Sequence, residues 1–262
     1  MNKKAAIVWI LGLILTGCTG STLTGSGVVN EQLFDLKGFE SIDVCCGMDL
    51  FIETGSPETV RIVAEDNILA AMEVRTRGNA LVVDFGTSIG ILDIEENYPM
   101  QIFVTLPELT GVEVSGGGGV SVAGVSTNQF SLNLSGGSGA YLQGLIAADV
   151  IIESTGGGDL DLRELQVGQL TISKSGGGGL ALYGLTEELE ADLSGGSELN
   201  ARYLQTTSAD VRISGGGRSS LAVTDELRVD LSGGSRLDYY GNPEIRREQT
   251  SGDSELVGHA TP

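Results

Sequence analysis

The chain has 262 residues, 40 of them glycine, and its 35 acidic against 15 basic side chains give a formal charge of −20 and a pI near 4.2. A field of that sign repels phosphate backbones and anionic membrane surfaces, which argues against nucleic acid as a partner and leaves divalent cations, basic proteins and neutral glycans. One histidine and three cysteines are too few for a histidine-rich metal centre or a disulfide scaffold.

The N-terminus, MNKKAAIVWILGLILTGC, sets two lysines before an apolar run from Ala5 to Leu15. The run is too short for a stable membrane span and ends in small residues, so residues 1–17 read as an export signal. Leu15-Thr16-Gly17-Cys18 resembles a bacterial lipobox, which predicts lipid on the Cys18 thiol and Cys18 as the first mature residue. A plain signal peptide cleaved nearby is the alternative. Thr19, in place of an aspartate, implies by resemblance to enterobacterial lipoproteins a location in the outer membrane of the bacterial envelope, facing the periplasm or the cell surface. Both basic residues ahead of Cys18 are lysines and no acidic residue precedes it, so the mature chain carries a net charge of −22. Residues 19–30, small and polar, read with Cys18 as a lipidated, flexible tether (18–30) reaching roughly 40 Å.

Residues 31–111 alternate without a strict repeat. Ser41–Glu53, Thr59–Glu65, Met72–Asp84 and Met100–Leu106 read as strands, with turn markers at Gly55-Ser56-Pro57, Arg77-Gly78-Asn79 and Pro107, and one helical turn at Asp66–Ala70. Cys45 and Cys46 fall inside the first strand. Neighbours in a strand point to opposite faces, so the expectation is one buried thiol, one near the surface, and no disulfide between them. This portion is expected to cover the first coil of the regular repeat that begins at residue 112.

From residue 112 to 257 a phrase recurs. The Ser or Thr before each paired glycine stands at Ser115, Ser135, Thr155, Ser175, Ser194, Ser214, Ser232 and Ser251, spaced by 18 to 20 residues. A period this regular marks a solenoid. Upstream of each anchor the chain alternates with period two, as in Phe130-Ser131-Leu132-Asn133-Leu134, and alternation resumes after it, as at Leu160 and Leu162. Each coil is thus expected to hold two short strands joined by a glycine corner, with anchor hydroxyls bonding to adjacent coils. Residues 258–262 read as a frayed tail, and the open last strand edge as a place for self-association.

Two outward rows carry charge. Two positions before the anchors stand Glu113, Asn133, Glu153, Ser173, Asp192, Arg212, Asp230 and Gln249; four positions after them, Asp159, Glu198, Arg218, Arg236 and Glu255. Glu153, Asp192, Arg212 and Asp230 are the candidate ligand or cation face. A solvated face whose opposite charges stabilise stacking, with Asp192 and Asp230 flanking Arg212, is the competing reading. Tyr141, Tyr183, Tyr203, Tyr239 and Tyr240 are rings able to stack on sugars, with Tyr239 in an inward register. His259 stands on the tail, so a Ser-His-Asp triad is not expected. The glycine runs do not continue into Gly-Lys-Ser/Thr, so no phosphate loop is expected either. No catalytic residue, metal or cofactor is implied.

The pattern FDLKGFESIDVCCGMDLFIETGSPETVRIVAEDNIL, then RGNALVVDF and serial SGG corners, resembles the bacterial head GIN domain family of putative adhesins (the DUF2807 family) over most of residues 30–257. The resemblance implies an all-β, single-stranded parallel β-helix of pectin-lyase-like, right-handed form with about 20 residues per coil. It also implies a role in adhesion or protein interaction at the envelope, without enzymatic activity, with envelope proteins or glycans as partners. A polysaccharide-binding or polysaccharide-processing β-helix using the acidic face is the alternative, and a structural part in envelope assembly a third reading.

Overall fold

The structure, a computed structural model, describes residues 21–86, 89–93 and 98–260. The export signal and Cys18 lie outside the described residues. β1 (Ser21–Thr24) and β2 (Val29–Phe34) precede β3 (Ser41–Val44), β4 (Asp49–Thr54) and β5 (Thr59–Glu65). One helix, α1 (Asp66–Ala71), leads into β6 (Met72–Arg77), β7 (Ala80–Phe85), β8 (Ile89–Asp93) and β9 (Gln101–Leu106). After β10 (Gly111–Gly116) the chain is almost continuous strand: β11 (Gly119–Gly136), β12 (Gly139–Gly156), β13 (Leu160–Gly176), β14 (Gly179–Gly195), β15 (Glu198–Gly215) and β16 (Gly217–Ser232). β17 (Ser235–Tyr240), β18 (Glu244–Thr250) and β19 (Glu255–His259) complete it.

Each long strand wraps a whole coil and pairs in parallel with the next, so the chain is a β-solenoid with the period its sequence predicts. The anchors stack in register from Ser115 to Ser232. Inside, Leu81, Ile42, Val112, Leu132, Ile152, Ile172, Ala191, Val211 and Val229 form one buried ladder. A single coil exposes its apolar row and its strand N–H and C=O groups; the coil above covers both.

The two-strand coil is incomplete. Between its two alternating segments the chain bends again, at Gly124, Gly144, Glu164 and Gly184, and places two further inward rows in the core: Val125, Leu145, Leu165 and Leu204, and Ala147, Val167, Thr186, Thr206 and Val223. The 19-residue coil puts Gly184 in the first of these rows. Thr186, paired with Val167 and Thr206, faces inward and donates to the Gly168 and Glu188 carbonyls, while Leu185, paired with Gln166 and Gln205, lies outward and half exposed. A hydroxyl that finds acceptors is a tolerable inward substitute for an apolar group.

The anchor hydroxyls are mostly outward and exposed. Thr155 alone among them bonds to an adjacent coil, donating to Leu134 O at 3.5 Å. Serines three positions further on secure the corner from inside: Ser138 Oγ donates to Ser135 O at 3.0 Å and Ser197 Oγ to Gly176 O at 3.2 Å. The left-handed glycine after the anchor reverses which side chain faces in. Lys174 also faces in, at the position that is Leu134, Leu193 or Ile213 in other coils. It is 1% exposed, its Nζ donates to Gly158 O at 2.7 Å and approaches Ser154 Oγ at 3.4 Å, and burial holds its pKa below the usual lysine range.

The N-terminal portion does more than cover the first coil. β7 and β9 form one rung, and β3 and β4 lie between that rung and β10–β11, pairing in parallel on both sides. The cover proper is antiparallel: β5 on β9, β2 on β5, and β6 on β7. The tether is shorter than expected. β1 pairs with β8, and Thr24–Gly27 are tied to Glu65 and to the first turn of α1, with Asn67 Nδ2 donating to Thr24 O and Gly27 N to Glu65 Oε1.

Cys45 and Cys46 are joined by a disulfide, contrary to expectation. The strand argument fails because the pair lies on the corner between β3 and β4, with Cys46 at φ 71°. From the pairing of Val44 with Val114, Cys45 takes the anchor column and Cys46 the column that glycine fills elsewhere. At the far end, β18 and β19 form the last rung and β18 is exposed throughout. Its Glu244, Arg246, Arg247 and Glu248 set charge along that edge. His259 is therefore held in β19 and not in a frayed tail.

The packing sets the cost of two substitutions. A Cβ on Gly156 would lie 1.7 Å from Gly136 O at φ 129°, whereas one on Gly157 meets nothing within 4 Å. Gly156→Ala is expected to cost about 1–3 kcal/mol from the backbone conformation alone, and Gly157→Ala less than about 0.5 kcal/mol, read from urea midpoints. Lys174→Met, which removes a buried ammonium and keeps an unbranched side chain one atom shorter, is expected to stabilise by about 1 kcal/mol or more at neutral pH. Because the folded pKa is lowered, the unfolded chain holds the proton to higher pH, so this gain should narrow as pH rises toward 10.5.

Candidate functional site

The row two positions before the anchors is a true column. Glu113, Asn133, Glu153, Ser173, Asp192, Arg212, Asp230 and Gln249 stand in direct register, one per rung, and Asp43 extends the column below Glu113. Strand alternation turns these side chains outward, and parallel pairing sets successive members about 4.8 Å apart. Beside it runs the anchor column. Together they line a shallow groove of about 500 Å³, in which Glu153, Asp192, Arg212 and Asp230 share one wall with the hydroxyls of Thr155, Ser175, Ser194, Ser214 and Ser232 opposite. All four residues of the expected ligand face thus meet in one place. Lys174 and its inward neighbours form the floor.

Charges in the groove are partly committed. Arg212 Nη1 lies 2.9 Å from Glu190 and 3.3 Å from Asp192, and its Nη2 lies 3.0 Å from Asp210. Hydrogen bonds with Glu190 and then Asp192 raise the guanidinium pKa further above its already high value. Asp230 does not pair with Arg212 as expected; it takes Arg247 of the last rung at 2.8 Å. Among the described ion pairs Glu153 has no cationic partner. Glu190, Asp210 and Arg247 belong to the outward row four positions before the anchors, which shares the parity of the first row and was legible on that ground.

The other acidic row divides. Asp159 Oδ1 accepts from Gly179 N at 2.6 Å, and Asp49 does the same for Gly119 N at 2.9 Å, so these carboxylates close corners. Arg236 bridges Glu255 at 2.6 Å and Asp238 at 2.9 Å. His259 Nε2 lies 2.7 Å from Asp238, and its ring stacks on Tyr240. The Arg236 hydrogen bond, followed by that of His259, holds the Asp238 carboxyl down at about 2. Among the described residues no group of three or more His, Cys, Asp or Glu is placed to hold a metal ion, and no helix is long and apolar enough to cross a membrane.

The model of a family described as putative auto-transporter adhesin, head GIN domain, matches residues 38–243. Among solved structures, a putative lipid binding protein from Parabacteroides distasonis ATCC 8503 is 18% identical with a TM-score of 0.79, covering 90% of this chain and 100% of its own. A putative adhesin from Parabacteroides merdae ATCC 43184 is 17% identical with a TM-score of 0.79, over 91% of this chain and 99% of its own. Another putative adhesin, from Bacteroides fragilis NCTC 9343, is 19% identical with a TM-score of 0.65, over 91% and 99%. At these identities the likeness is one of fold. No curated protein matches the chain.

Removing Arg212 leaves Glu190, Asp192 and Asp210 facing one another across two rungs. Arg212→Gln is expected to cost about 1 kcal/mol, the scale of a half-exposed ion-pair network. The loss should grow at low salt, where unscreened carboxylates repel most, and thermal melts across ionic strength read it.

Proposed function

The chain belongs to the head GIN domain family, and from that premise we propose a lipid-anchored protein of the bacterial outer membrane that serves as an adhesin or protein-interaction module without catalysis. Cys18 carries the lipid and Thr19 the sorting signal. The groove lined by Glu153, Asp192, Arg212 and Asp230 is the binding face, and the observation that carries this reading is their convergence, on separate rungs, with an outward column of anchor hydroxyls. Such a surface offers repeated acceptors and donors to an extended partner. The lone histidine is engaged by Asp238 and Tyr240, which supports display over chemistry.

The early start of β1 shapes the anchor. Only Thr19 and Gly20 lie between Cys18 and Ser21, so a lipid on Cys18 would hold the antiparallel cover within about 10 Å of the bilayer. The solenoid would then project its groove outward as a short mast. A second reading, polysaccharide binding or processing in the same groove, draws on its mixture of carboxylates and hydroxyls.

Cys18→Ser should move the protein from the membrane fraction to the soluble fraction with its fold intact by circular dichroism. Ser175→Arg with Ser194→Arg, which fills the groove, should abolish retention of the purified chain on immobilised bacterial envelope fragments. Unchanged fractionation would overturn the anchor, and unchanged retention would overturn the groove. A panel of acidic and neutral polysaccharides, with and without calcium, separates the second reading: binding or cleavage lost in Asp192→Asn or Asp230→Asn would replace the first.

A further inference from the structure

Six positions beyond the anchors, across the glycine corner from the groove, runs a second outward column of different chemistry. From the cover upward it holds Phe103, Phe51, Ser121, Tyr141 and Asp161, each in direct register with the next. Its rings follow the rungs: Phe103 and Phe51 stack at 5.0 Å and within 13° of parallel. At the next rung the column holds Ser121 in place of a ring. Phe51 and Tyr141 therefore face each other over a serine across two rung intervals, about 9.6 Å from the spacing of parallel strands.

The outer faces of this slot are covered and the inner faces are open. Phe103 covers the far side of Phe51 and is itself capped by Arg61 of β5, 3.9 Å from its ring centroid. Arg163 lies between Tyr141 and Tyr183, 5.9 and 5.1 Å from their rings, where Asp161 holds its guanidinium. Among the described residues no ring or cation stacks on either face turned toward Ser121. The rung between them is bare, since its outward residues are Gly119, Ser121 and Ala123. Gln143, opposite Ala123, donates its amide to Glu164 and so leans away.

The slot opens into a cavity of about 660 Å³, within the range of small-ligand sites. Beside it Gly119 and Gly139 pair and leave a hollow, with Asp49 next to the first and Asp159 next to the second. Asp49 Oδ1 and Asp159 Oδ1 hold the corner amides of Gly119 and Gly179, and their second oxygens have no partner among the described residues. Asp161 also lines the cavity, and none of the lining residues is basic.

Width and charge define the occupant. Two contacts as close as that of Arg61 on Phe103, 3.9 Å, fall short of the slot, so a flat group would touch one ring only, whereas a pyranose chair is thicker. Both faces of a chair present C–H groups to the electron-rich aromatic faces when its substituents are equatorial, as in the β-gluco configuration. An axial hydroxyl, as in a galacto or manno ring, would meet an aromatic face without a hydrogen-bond partner. Equatorial links leave the ring in its own plane, which is the direction of the bare rung. Carboxylates accept from sugar hydroxyls and repel an acidic sugar.

We propose that the slot between Phe51 and Tyr141 binds one neutral pyranose ring of β-gluco configuration, a glucose or N-acetylglucosamine unit of a glycan. Its C–H faces lie on the two rings, its inner edge meets the Ser121 hydroxyl, and the free oxygen of Asp49 accepts from one of its hydroxyls. The site shares no residue with the serine-lined groove and does not rest on the reading of that groove.

Saturation-transfer NMR on the purified chain tests the proposal, with the methyl β-glycosides of glucose, N-acetylglucosamine, galactose and glucuronic acid as probes. At least one of the first two should bind. The galactoside and the glucuronide should each bind about tenfold more weakly, the scale of one unpartnered hydroxyl or one unfavourable charge. Ser121→Phe, which continues the ring stack at an outward position, should abolish binding, and Tyr141→Ala should weaken it about tenfold or more, both with the circular dichroism of the parent chain. Tyr203→Ala, which removes an exposed ring elsewhere on the surface, should leave it unchanged. No transfer from either gluco probe, equal binding of the galactoside or glucuronide, unaltered binding in Ser121→Phe or Tyr141→Ala, or its loss in Tyr203→Ala would each overturn the proposal.

Discussion

Parallel strands hydrogen-bond only when successive backbones lie about 4.8 Å apart, and at a corner that spacing leaves no room for a side chain between rungs. Built Cβ atoms on Gly156 and Gly215 fall 1.7 and 2.0 Å from the carbonyl oxygen of the rung below. The serine-glycine phrase is the imprint of that constraint. Once corners are held in a column, every other position of the coil is forced into a column as well. Core, charge rows and ring stack are then consequences of one translation along the axis.

Much of this was legible because the translation is written into the spacing. Aligning on the anchors alone places Asp192 next to Arg212 and Arg212 next to Asp230, as the registers do. What escaped did so for local reasons. The middle bend of each coil is carried by one or two inward residues, Val125 or Leu145, too few to show a period. Cys45-Cys46 sits in an alternating stretch that reads as unbroken strand, and only the neighbouring rung reveals it as a corner. Lys174 breaks the rule that charge faces out; its position, one before the anchor, was the signal. The pairing of β3 with β10 spans 70 residues and leaves no mark in local alternation.

Columns also explain how so repetitive a chain acquires distinct surfaces. A change at one offset adds to a row shared by every rung, so hydroxyls and carboxylates accumulate on one side and planar groups on another. Specificity then arises where the repeat errs. The 19-residue coil sets Tyr183 alone opposite Arg163 and Glu164 and puts Gly184 in an inward row, and the 18-residue coil produces the bulge at residues 202–204. In both places a deletion too small to disturb the core redirects what the surface presents.

The interleaved rung at residues 41–54 gives the molecule a direction of growth. β3 waits for β7, 39 residues later at Ser41 and Ala80, and β4 for β9, 52 residues later at Asp49 and Gln101. Each of those two closures spans about twice or more the length of a later coil and costs correspondingly more chain entropy, and β3 and β4 are the edge on which β10 and β11 then pair. Thereafter each coil closes a span of only about 20 residues onto a finished edge. A chain synthesised from its N-terminus delivers its segments in that sequence, so the longer closures come first and the later coils add one at a time.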